Sequence, residues 1–578
     1  MADTNMPDFE PVIEYLGLKG RYQGVQAVLQ VLGIYCLSFA VLIGVFTGYE
    51  PAHECNAVNV TEMRDLFSVP DNASLEASYG KCAVTLVVND SAAVTTHTMS
   101  CVNGHNYFGN KYISFTSEMD LVCDRTGLGD LSQTLLMLGQ GIGGFIFTSL
   151  ADRFGRKPIY VFTSFGMTIL HILIGVAPEI GSLTLFRFLI GGFQQGVCLS
   201  SLTLFLEMMS PRHRMLGSVV CGTLWSTSVL TLGLLAWLLR YHSWRTLQLI
   251  MTATTSYCVL LPWLLMESPR WLACNNRADE ALEIFRKWCE QNGKDFAHVK
   301  SLFDKNVVEK LRVKKMLEER EGEEKPELHV EKYTILDLFK HKQIALTSFV
   351  LAFVWVTNGV TYFGLILTSS SLAGDRFVNF LLSGLAEWPS HSVAYFMLRR
   401  MKRRLIETIF LVLSGVCLIT SVLLLLSPEQ EASTASIVFS LLGKFSITGA
   451  FNALYLLTPE LFPTNLRSIG LGWSSALSRF GGMVAPYSRF LAEKAVYGPG
   501  TIFGCMCLIS ALLIRLLPET RGRPLPNSIQ EMKAWRSEKP GIRKKETCID
   551  HAFIVPPESK RDVEDTETHN YRYSLVET

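Results

Sequence analysis

Long apolar stretches alternate with short polar loops along most of the chain. Twelve of them reach the length of about 20 residues that a helix needs to cross the hydrocarbon core of a bilayer. They lie near residues 24–47, 131–150, 158–177, 183–206, 216–239, 245–266, 343–367, 377–398, 405–427, 435–457, 469–491 and 501–517. Most faces of these stretches are apolar, which is typical of helices surrounded by lipid or by other helices. The pattern predicts an all-α membrane protein with twelve transmembrane helices.

Composition agrees with this reading and excludes several functions. Apolar residues make up 49% of the 578 residues and charged residues 18%, against about 25% in soluble domains. The formal net charge is +1, which offers no basic footprint for nucleic acid. No Gly-x4-Gly-Lys-Ser/Thr sequence is present, so we expect no ATP site. No metalloprotease or serine hydrolase motif occurs either, so we expect neither an enzyme nor a bound metal or cofactor.

The distribution of Lys and Arg predicts the orientation. Short loops on one side carry eleven of them and short loops on the other side carry four, which places both termini in the cytosol. Residues 48–130 then form an extracellular loop and residues 267–342 a cytoplasmic one. The predicted organisation is an N-terminal six-helix half at 1–266, an inter-half loop at 267–342, a C-terminal six-helix half at 343–518 and a cytoplasmic tail at 519–578. Secondary transporters are often built from two such halves, with the substrate near the midplane between them.

The extracellular loop carries the sequence signs of a secreted environment. Three sequons begin at Asn59, Asn72 and Asn89, and they predict glycosylation. Four cysteines stand in the same loop: Cys55, Cys82, Cys101 and Cys123. An even number in an oxidising compartment predicts two disulfides, although the spacing leaves three pairings open. Free thiols on an unglycosylated loop are the alternative.

Charged motifs stand at the cytoplasmic ends of several stretches. Between the second and third, the chain reads Asp152-Arg153-Phe154-Gly155-Arg156-Lys157. Glu267-Ser268-Pro269-Arg270-Trp271-Leu272 follows the sixth, Thr458-Pro459-Glu460-Leu461-Phe462-Pro463-Thr464-Asn465-Leu466-Arg467 the tenth, and Pro518-Glu519-Thr520-Arg521-Gly522-Arg523-Pro524-Leu525-Pro526 the twelfth. Each of the last three motifs puts a helix-breaking proline beside a Glu/Arg set.

The first motif resembles the cytoplasmic motif of the major facilitator superfamily, although Thr148 replaces its leading glycine. Together with the Cys-bearing loop, the set resembles solute carrier family 22, which contains organic cation, organic anion and carnitine transporters. The resemblance implies the major facilitator fold and an alternating-access cycle. It also implies gating residues, with Glu207 as a gate or packing charge: Asp152, Arg153, Gly155, Arg156, Glu207, Glu267, Arg270, Glu460 and Arg467.

Two ionisable residues inside the predicted spans bear on the choice of solute, because charge inside a membrane is costly unless it has a function. Glu387 stands where the cation and carnitine members of the resembled family carry an acid, and Arg479 where carnitine and anion members carry a base. We expect an ammonium group beside Glu387 and a carboxylate on the fork of Arg479. The alternatives are a structural Glu387–Arg479 salt bridge and a gate that alternates between the two roles.

Further candidates for substrate contact are mostly aromatic. Trp355 and Tyr362 are seven residues apart, so they lie on one face of a helix, and an aromatic face attracts quaternary ammonium. Tyr35 and Trp225 are equally open to packing and to substrate contact. Asn452 matches a cavity position of the resembled family. For Lys444, pairing or snorkelling is favoured over substrate contact.

The sequence therefore predicts a plasma-membrane secondary transporter of a small organic cation or zwitterion, carnitine-like by preference. Its expected partners are that substrate and the lipid bilayer, and either sodium or protons remain open as the coupling ion. One rival is an organic anion exchanger that uses Arg479 and leaves Glu387 a structural role. The other is a non-transporting membrane protein that senses solute and signals through the 267–342 loop, which the gate motifs argue against.

Overall fold

A computed structural model describes residues 8–17, 20–59, 74–89, 94–313, 316, 335–369, 374–427, 430–463, 466–495, 497–521 and 526. Within these ranges the chain forms a bundle of long helices with two smaller additions. One addition is a stranded loop between the first two bundle helices, and the side of the molecule that carries it is the loop end. The other is a set of short helices at the opposite side, the terminal end.

The N-terminal half contains six bundle helices after a short helix α1. Their bounds are α1 Glu10–Leu16, α2 Arg21–Leu42 with a further turn Gly44–Thr47, α3 Gly127–Phe154, α4 Arg156–Gly175, α5 Ile180–Glu207, α6 Pro211–Leu238 and α7 Trp244–Thr254, the last continued by a 3₁₀ turn Ser256–Leu260 and a helical turn Leu261–Leu264. Local sequence fixes several ends. Pro211 begins α6, where its missing N–H costs nothing, and Ser243 caps α7 by accepting from the Arg245 N–H at 3.3 Å.

The stranded loop contains two small antiparallel sheets. β2 (Ser74–Tyr79), β3 (Ala83–Asn89) and β4 (Val94–Ser100) form one, and β1 (His53–Cys55) pairs with β5 (His105–Tyr107) in the other. Disulfides join Cys55 to Cys101 and Cys82 to Cys123, which selects one of the three pairings that the sequence left open. Asn59 is exposed, the backbone of Asn89 ends β3, and Asn72 lies outside the described residues. Glycosylation of the three sequons stays a prediction.

Short helices cover the terminal end of the N-terminal half. They are α8 (Pro269–Cys274), α9 (Ala278–Asn292) and α10 (Phe296–Phe303), the last followed by a π-helical turn Asp304–Val308. Phe285 and Trp288 on α9 are buried, and they share one core with Val12 and Leu16 of α1. The Trp271 indole donates to the carbonyl of Asp152 at 2.9 Å, so this layer is fixed to the end of α3.

The C-terminal half supplies the other six bundle helices. A short turn Asp337–Lys340 precedes α11 Lys342–Thr368, α12 Arg376–Arg400, α13 Arg403–Leu425, α14 Gln430–Leu461, α15 Arg467–Val484 with its continuation α16 Tyr487–Lys494, and α17 Gly498–Leu513, which ends in a 3₁₀ turn Ile514–Leu516. Asp375 caps α12 by accepting from the backbone N–H groups of Phe377 and Val378.

Ten helices of the described chain are long and apolar enough to cross a membrane, against the twelve stretches that the sequence predicts. The two that fall short are α12 and α15, because polar and charged side chains interrupt them. Both still pack inside the bundle, α12 against α6 and α14, and α15 against α11 and α3. With them the described residues contain twelve bundle helices, and the two least apolar ones hold Glu387 and Arg479.

Candidate functional site

Glu387 is a fully buried carboxylate on α12, at the contact between the two halves. The ammonium of Lys444, on α14, lies 3.0 Å from its Oε1 atom. The hydroxyl of Ser226, on α6 of the other half, donates to its Oε2 atom at 3.3 Å. A buried charge is tolerated only when it is paired and hydrogen-bonded, so Lys444 neutralises the acid here. The alternative of a Glu387–Arg479 salt bridge is wrong in this structure.

Lys444 also contacts an aromatic residue. Its Nζ atom lies 3.2 Å from the ring centroid of Tyr362 and donates to the Tyr362 carbonyl at 3.1 Å. The Tyr362 hydroxyl in turn accepts from the indole N–H of Trp225 at 2.7 Å, across the interface between the halves. One ammonium is therefore held by a carboxylate, a carbonyl and an aromatic face, the groups that recognise organic cations.

His391 extends this cluster, although it is not among the candidate residues named from the sequence. It follows Glu387 by four residues, so both side chains lie on one face of α12. One imidazole nitrogen is 3.1 Å from the Ser226 hydroxyl and the other is 2.9 Å from the Asn452 amide nitrogen. Because an amide nitrogen only donates, the imidazole nitrogen that faces it is placed to accept from Asn452. The i, i+4 spacing from Glu387 was the available sequence signal.

Arg479, on α15, lies at a different part of the interface between the halves. We call the two parts walls: one carries Glu387 and the other carries Arg479. Its guanidinium donates to the side-chain oxygens of Gln140 on α3 and Gln195 on α5, at 3.4 and 3.3 Å. Gln140 donates in turn to Gln194 at 3.0 Å. The acid and the base are thus on separate walls, with Glu387 facing α6 and Arg479 facing α3 and α5. The three buried glutamines were not identified from the sequence.

The aromatic candidates divide by environment. Trp355 is fully buried, donates to the Thr458 hydroxyl at 2.9 Å and packs edge-on against the ring of Tyr455. Tyr362 is the one that meets the charged cluster. Tyr35 donates to the Thr231 hydroxyl at 2.7 Å, which ties α2 to α6. Trp355 and Tyr362 do lie on one helix, but only Tyr362 contacts the Lys444 ammonium.

Several contacts close the interface between the halves near the loop end. The rings of Phe46 and Phe377 stack with centroids 5.4 Å apart, and the Arg376 guanidinium lies 3.4 Å from the ring centroid of Tyr49. The Thr134 hydroxyl donates to the carbonyl of Met483 at 3.0 Å. Tyr455, further along α14 toward the terminal end, is 47% exposed. The two walls are therefore covered on the loop side.

A charged cluster at the terminal end of the N-terminal half contains four of the nine predicted gating residues. Glu267 accepts from the backbone N–H groups of Arg156 and Lys157, the first turn of α4. The Arg156 guanidinium lies 3.2 Å from Asp152 and 3.6 Å from Glu207. A carboxylate at a helix N-terminus satisfies free N–H groups and the helix dipole. Burial raises the pKa of Glu267, and the N–H groups offset only part of that effect.

Gly155 makes this contact possible. Its φ of +108° lies in the region that favours glycine, and a Cβ atom there would stand 2.3 Å from the Glu267 Oε2 atom. Two other predicted gating residues lie outside the ion pairs. Arg153 is exposed over the ring of Phe154, and Arg270 stacks over Phe9 of the segment before α1.

The C-terminal half repeats the arrangement. Glu519 accepts from the backbone N–H groups of Arg403 and Arg404, the first turn of α13, at 2.8 and 3.3 Å. The Arg403 guanidinium lies 3.8 Å from Glu460, which accepts from the Thr520 hydroxyl. Each half therefore has a glutamate after its last helix that caps its third helix. We call these clusters the first latch (Asp152, Arg156, Glu207, Glu267) and the second latch (Arg403, Glu460, Glu519).

Arg467 was predicted to belong to the gate and lies beside it. Its guanidinium donates to the Pro459 carbonyl at 2.9 Å, which joins the start of α15 to the end of α14. Glu519 and Arg403 were absent from the predicted gating set. The correspondence between the ends of the sixth and twelfth helices was the sequence signal that identifies them.

Comparisons with known proteins agree with this architecture. The family model described as "Sugar (and other) transporter" matches residues 92–532. The chain belongs to this family. Solute carrier family 22 member 16 of Xenopus laevis is 30% identical over 460 residues, which cover 79% of this chain and 77% of the relative. Organic cation/carnitine transporter 2 of Homo sapiens and organic anion transporter 3 of Sus scrofa are each 29% identical, and each match covers 91% of this chain and 94% of the relative.

Solved structures confirm the fold of this family member. The partially occluded, inward-open xylose transporter XylE from E. coli superposes with a TM-score of 0.57 at 13% identity, covering 89% of this chain and all of that one. The major facilitator fold and the similarity to solute carrier family 22 that the motifs indicate are thus confirmed. The protein is a multi-pass membrane transporter of organic solutes and not an enzyme.

Proposed function

We propose that this transporter carries small organic cations or zwitterions, carnitine-like by preference, across the plasma membrane by alternating access. The observation that supports the proposal is the Lys444 ammonium between Glu387 and the ring of Tyr362. The protein's own ammonium occupies a place whose chemistry suits the ammonium of a substrate. An incoming quaternary ammonium competes for this place, where a desolvated cation–π contact contributes about 2 kcal/mol.

Arg479 supplies the second recognition group. Its two hydrogen bonds go to neutral amide oxygens at 3.3 and 3.4 Å, which are long for a charged donor. Among the residues that the structure describes, no carboxylate forms an ion pair with it. A substrate carboxylate that docks on the guanidinium replaces weak amide contacts with a charge-assisted pair. A zwitterion satisfies both walls at once, which is why we favour a carnitine-like solute.

An anion exchanger is the second candidate, and one observation favours it. While Lys444 stays on Glu387, Arg479 is the only unneutralised charge among the residues described on the two walls. Excess positive charge between the two walls attracts anions. The two candidates differ in what Glu387 does. It binds the substrate in the first, and in the second it only neutralises Lys444.

Uptake of three labelled probes separates the candidates. L-carnitine, tetraethylammonium and p-aminohippurate are offered to cells that express the chain, with and without sodium. Our proposal expects carnitine uptake above that of mock-transfected cells, and inhibition of it by excess tetraethylammonium. Uptake of p-aminohippurate alone would establish the anion exchanger. Surface-expressed protein that moves none of them would leave the sensor as the better reading.

We further propose that the loop end faces the cell exterior and that both termini are cytoplasmic. The eleven-to-four loop charge and the clustered sequons support this orientation. The structure is then an inward-facing state, because the contacts at Phe46 and Phe377 close the outer side. Enzymatic deglycosylation should lower the apparent mass, and replacing Asn59, Asn72 and Asn89 together should remove that change. Labelling of an epitope placed in residues 317–334 on intact cells would contradict the orientation.

A further inference from the structure

A second buried acid lies outside the transport site. Glu407, on α13, is fully buried, and neither carboxylate oxygen has a hydrogen-bond partner in the described structure. It stands four residues after Arg403, about 6 Å along the helix from the second latch. An isolated carboxylate in a protein interior cannot keep its charge without a partner, because desolvation costs several kcal/mol or more. An ionised Glu407 therefore needs a partner that the described residues do not give it in this conformation.

Among the described residues, the two arginines that begin α13 are engaged away from Glu407. On its own helix, Arg403 turns toward Glu460 and the Leu398 carbonyl, and Arg404 donates to the carbonyls of Arg515 and Leu517. The elements packed against α13 are α14, α17 with its terminal 3₁₀ turn, and α12. Their described titratable or charged side chains are Lys444, Tyr455, Glu460, Cys505, Cys507, Arg515, Arg376, Glu387, His391, Tyr395, Arg399 and Arg400. Of these, Lys444 is held by Glu387 and Arg515 is exposed.

We infer that Glu407 is a proton-binding switch of the second latch, whose alternative partner is Arg403. Residues four apart on a helix face each other, so Arg403 reaches Glu407 once it leaves Glu460. In that step the Glu407 carboxylic acid loses its proton to water at the terminal end and the carboxylate pairs with the guanidinium. In the reverse step a proton is taken from the same water and Arg403 returns to Glu460. The transport cycle thereby becomes sensitive to pH on the terminal side.

Only the effect of the switch on the uptake rate rests on the proposed function. The protonation of Glu407 is measured separately, in an experiment that needs no transport. Infrared spectra of the purified protein in lipid nanodiscs at neutral pH should contain a protonated carboxyl C=O band that Glu407→Gln removes. Arg403→Gln should keep the band. If the wild-type and Glu407→Gln spectra do not differ in the carboxylic acid region, Glu407 is ionised and the switch does not exist.

The rate is measured as carnitine uptake into proteoliposomes in which the terminal end of the protein faces the vesicle interior. The internal pH is varied from about 6 to about 8. Histidine side chains in general titrate in this range, so the comparison is between variants. Wild-type uptake should rise several-fold with internal pH, because loss of the proton releases Arg403 from Glu460 while the Glu519 cap on α13 stays in place. Glu407→Gln, permanently neutral, should give uptake that changes less than twofold. Thr408→Val, whose hydroxyl only bonds the Arg404 carbonyl, should keep the wild-type profile.

A pH response that survives Glu407→Gln unchanged, or a wild type without any response, would overturn the switch. Wild-type protein that transports no carnitine refutes the proposed substrate, and the infrared comparison then decides alone whether Glu407 binds the proton.

Discussion

Lys444 changes the interpretation of the transport site at the scale of single residues. From the sequence, Glu387 and Arg479 are the natural pair, because both are ionisable groups inside predicted spans. The structure pairs Glu387 with Lys444, 57 positions along the chain and on another helix. Sequence spacing cannot reveal such a contact between helices. It does reveal contacts within a helix, which is why His391 was accessible to reasoning and Lys444 was not.

The Glu387–Lys444 pair can be tested by charge exchange. Glu387→Gln alone should lower folding stability by about 3–5 kcal/mol, because Lys444 is left buried without its partner. Replacing both residues by each other, Glu387→Lys with Lys444→Glu, should restore surface expression but not carnitine transport. In this double variant the ion pair is kept, but the carboxylate and the ammonium have exchanged places relative to the Tyr362 ring. Biotinylation of surface protein measures expression, and labelled uptake per surface molecule measures transport. Full recovery of both would make the pair purely structural.

Arg479 gives a prediction about substrate class. Arg479→Gln removes the charge-assisted contact, which is worth about 1.5–3 kcal/mol. The KM for carnitine should therefore rise at least tenfold, while the inhibition constant of tetraethylammonium, which has no carboxylate, should stay within about twofold. Arg479→Lys serves as the matched control and should recover part of the carnitine affinity, since it keeps the charge but not the fork. Equal losses for both solutes would show that Arg479 has a structural role.

At the scale of elements, the sequence predicts the helices well and their partners poorly. The apolar stretches locate all twelve bundle helices. The two latches follow from helix ends, because proline stops and Glu/Arg sets can be identified in the sequence, but the backbone N–H groups that Glu267 and Glu519 cap cannot. The disulfide pairing also required the structure, since it depends on how β1 meets β5.

The repeated latches predict matched effects. Glu267→Gln and Glu519→Gln each weaken the cap of a third helix, so each should lower the maximal transport rate by about tenfold with KM changed less than threefold. Both sites lie far from the midplane walls. Glu290→Gln, at an exposed pair with Arg286 on α9, is the control and should leave both parameters unchanged. Uptake kinetics normalised to surface protein measure the effect. A selective rise in KM would place these glutamates in substrate binding.

Asp120 gives a pH prediction for the stranded loop. Burial opposes its ionisation, but hydrogen bonds from Tyr107 and His105 outweigh burial and hold its pKa below the usual range. The stability from its charge is therefore present at neutral pH and is lost as the pH falls through that lowered pKa. Asn tolerates the positive φ of Asp120, so Asp120→Asn tests the charge without straining the backbone.

We expect Asp120→Asn to lower thermal stability at pH 7 by about 1 kcal/mol. The melting temperatures of both proteins in detergent are measured by light scattering, which does not depend on the reaction of cysteine thiols. The two melting temperatures should converge as the pH drops below about 4. A difference between them that is constant from neutral to acid pH would mean that the Asp120 charge contributes nothing.

At the scale of the whole molecule, two similar halves close around charged walls. Membership of the transporter family and the major facilitator fold are established by the family match and the superposition on XylE. The sequence predicts the same fold from the number of apolar stretches, the charge of the loops on each side of the membrane and the motifs at the helix ends. It could not reach the conformational state, because that depends on which contacts between the halves are made, such as Phe46 on Phe377.

Counterflow in proteoliposomes tests the central claim most directly. Vesicles containing purified protein and excess unlabelled L-carnitine are diluted into trace labelled L-carnitine, with empty vesicles and Glu387→Gln protein as controls. An alternating-access carrier that binds carnitine at Glu387 should concentrate the label transiently above its equilibrium level in wild-type vesicles only. Label that merely equilibrates, or an overshoot of equal size in Glu387→Gln vesicles, would contradict the account.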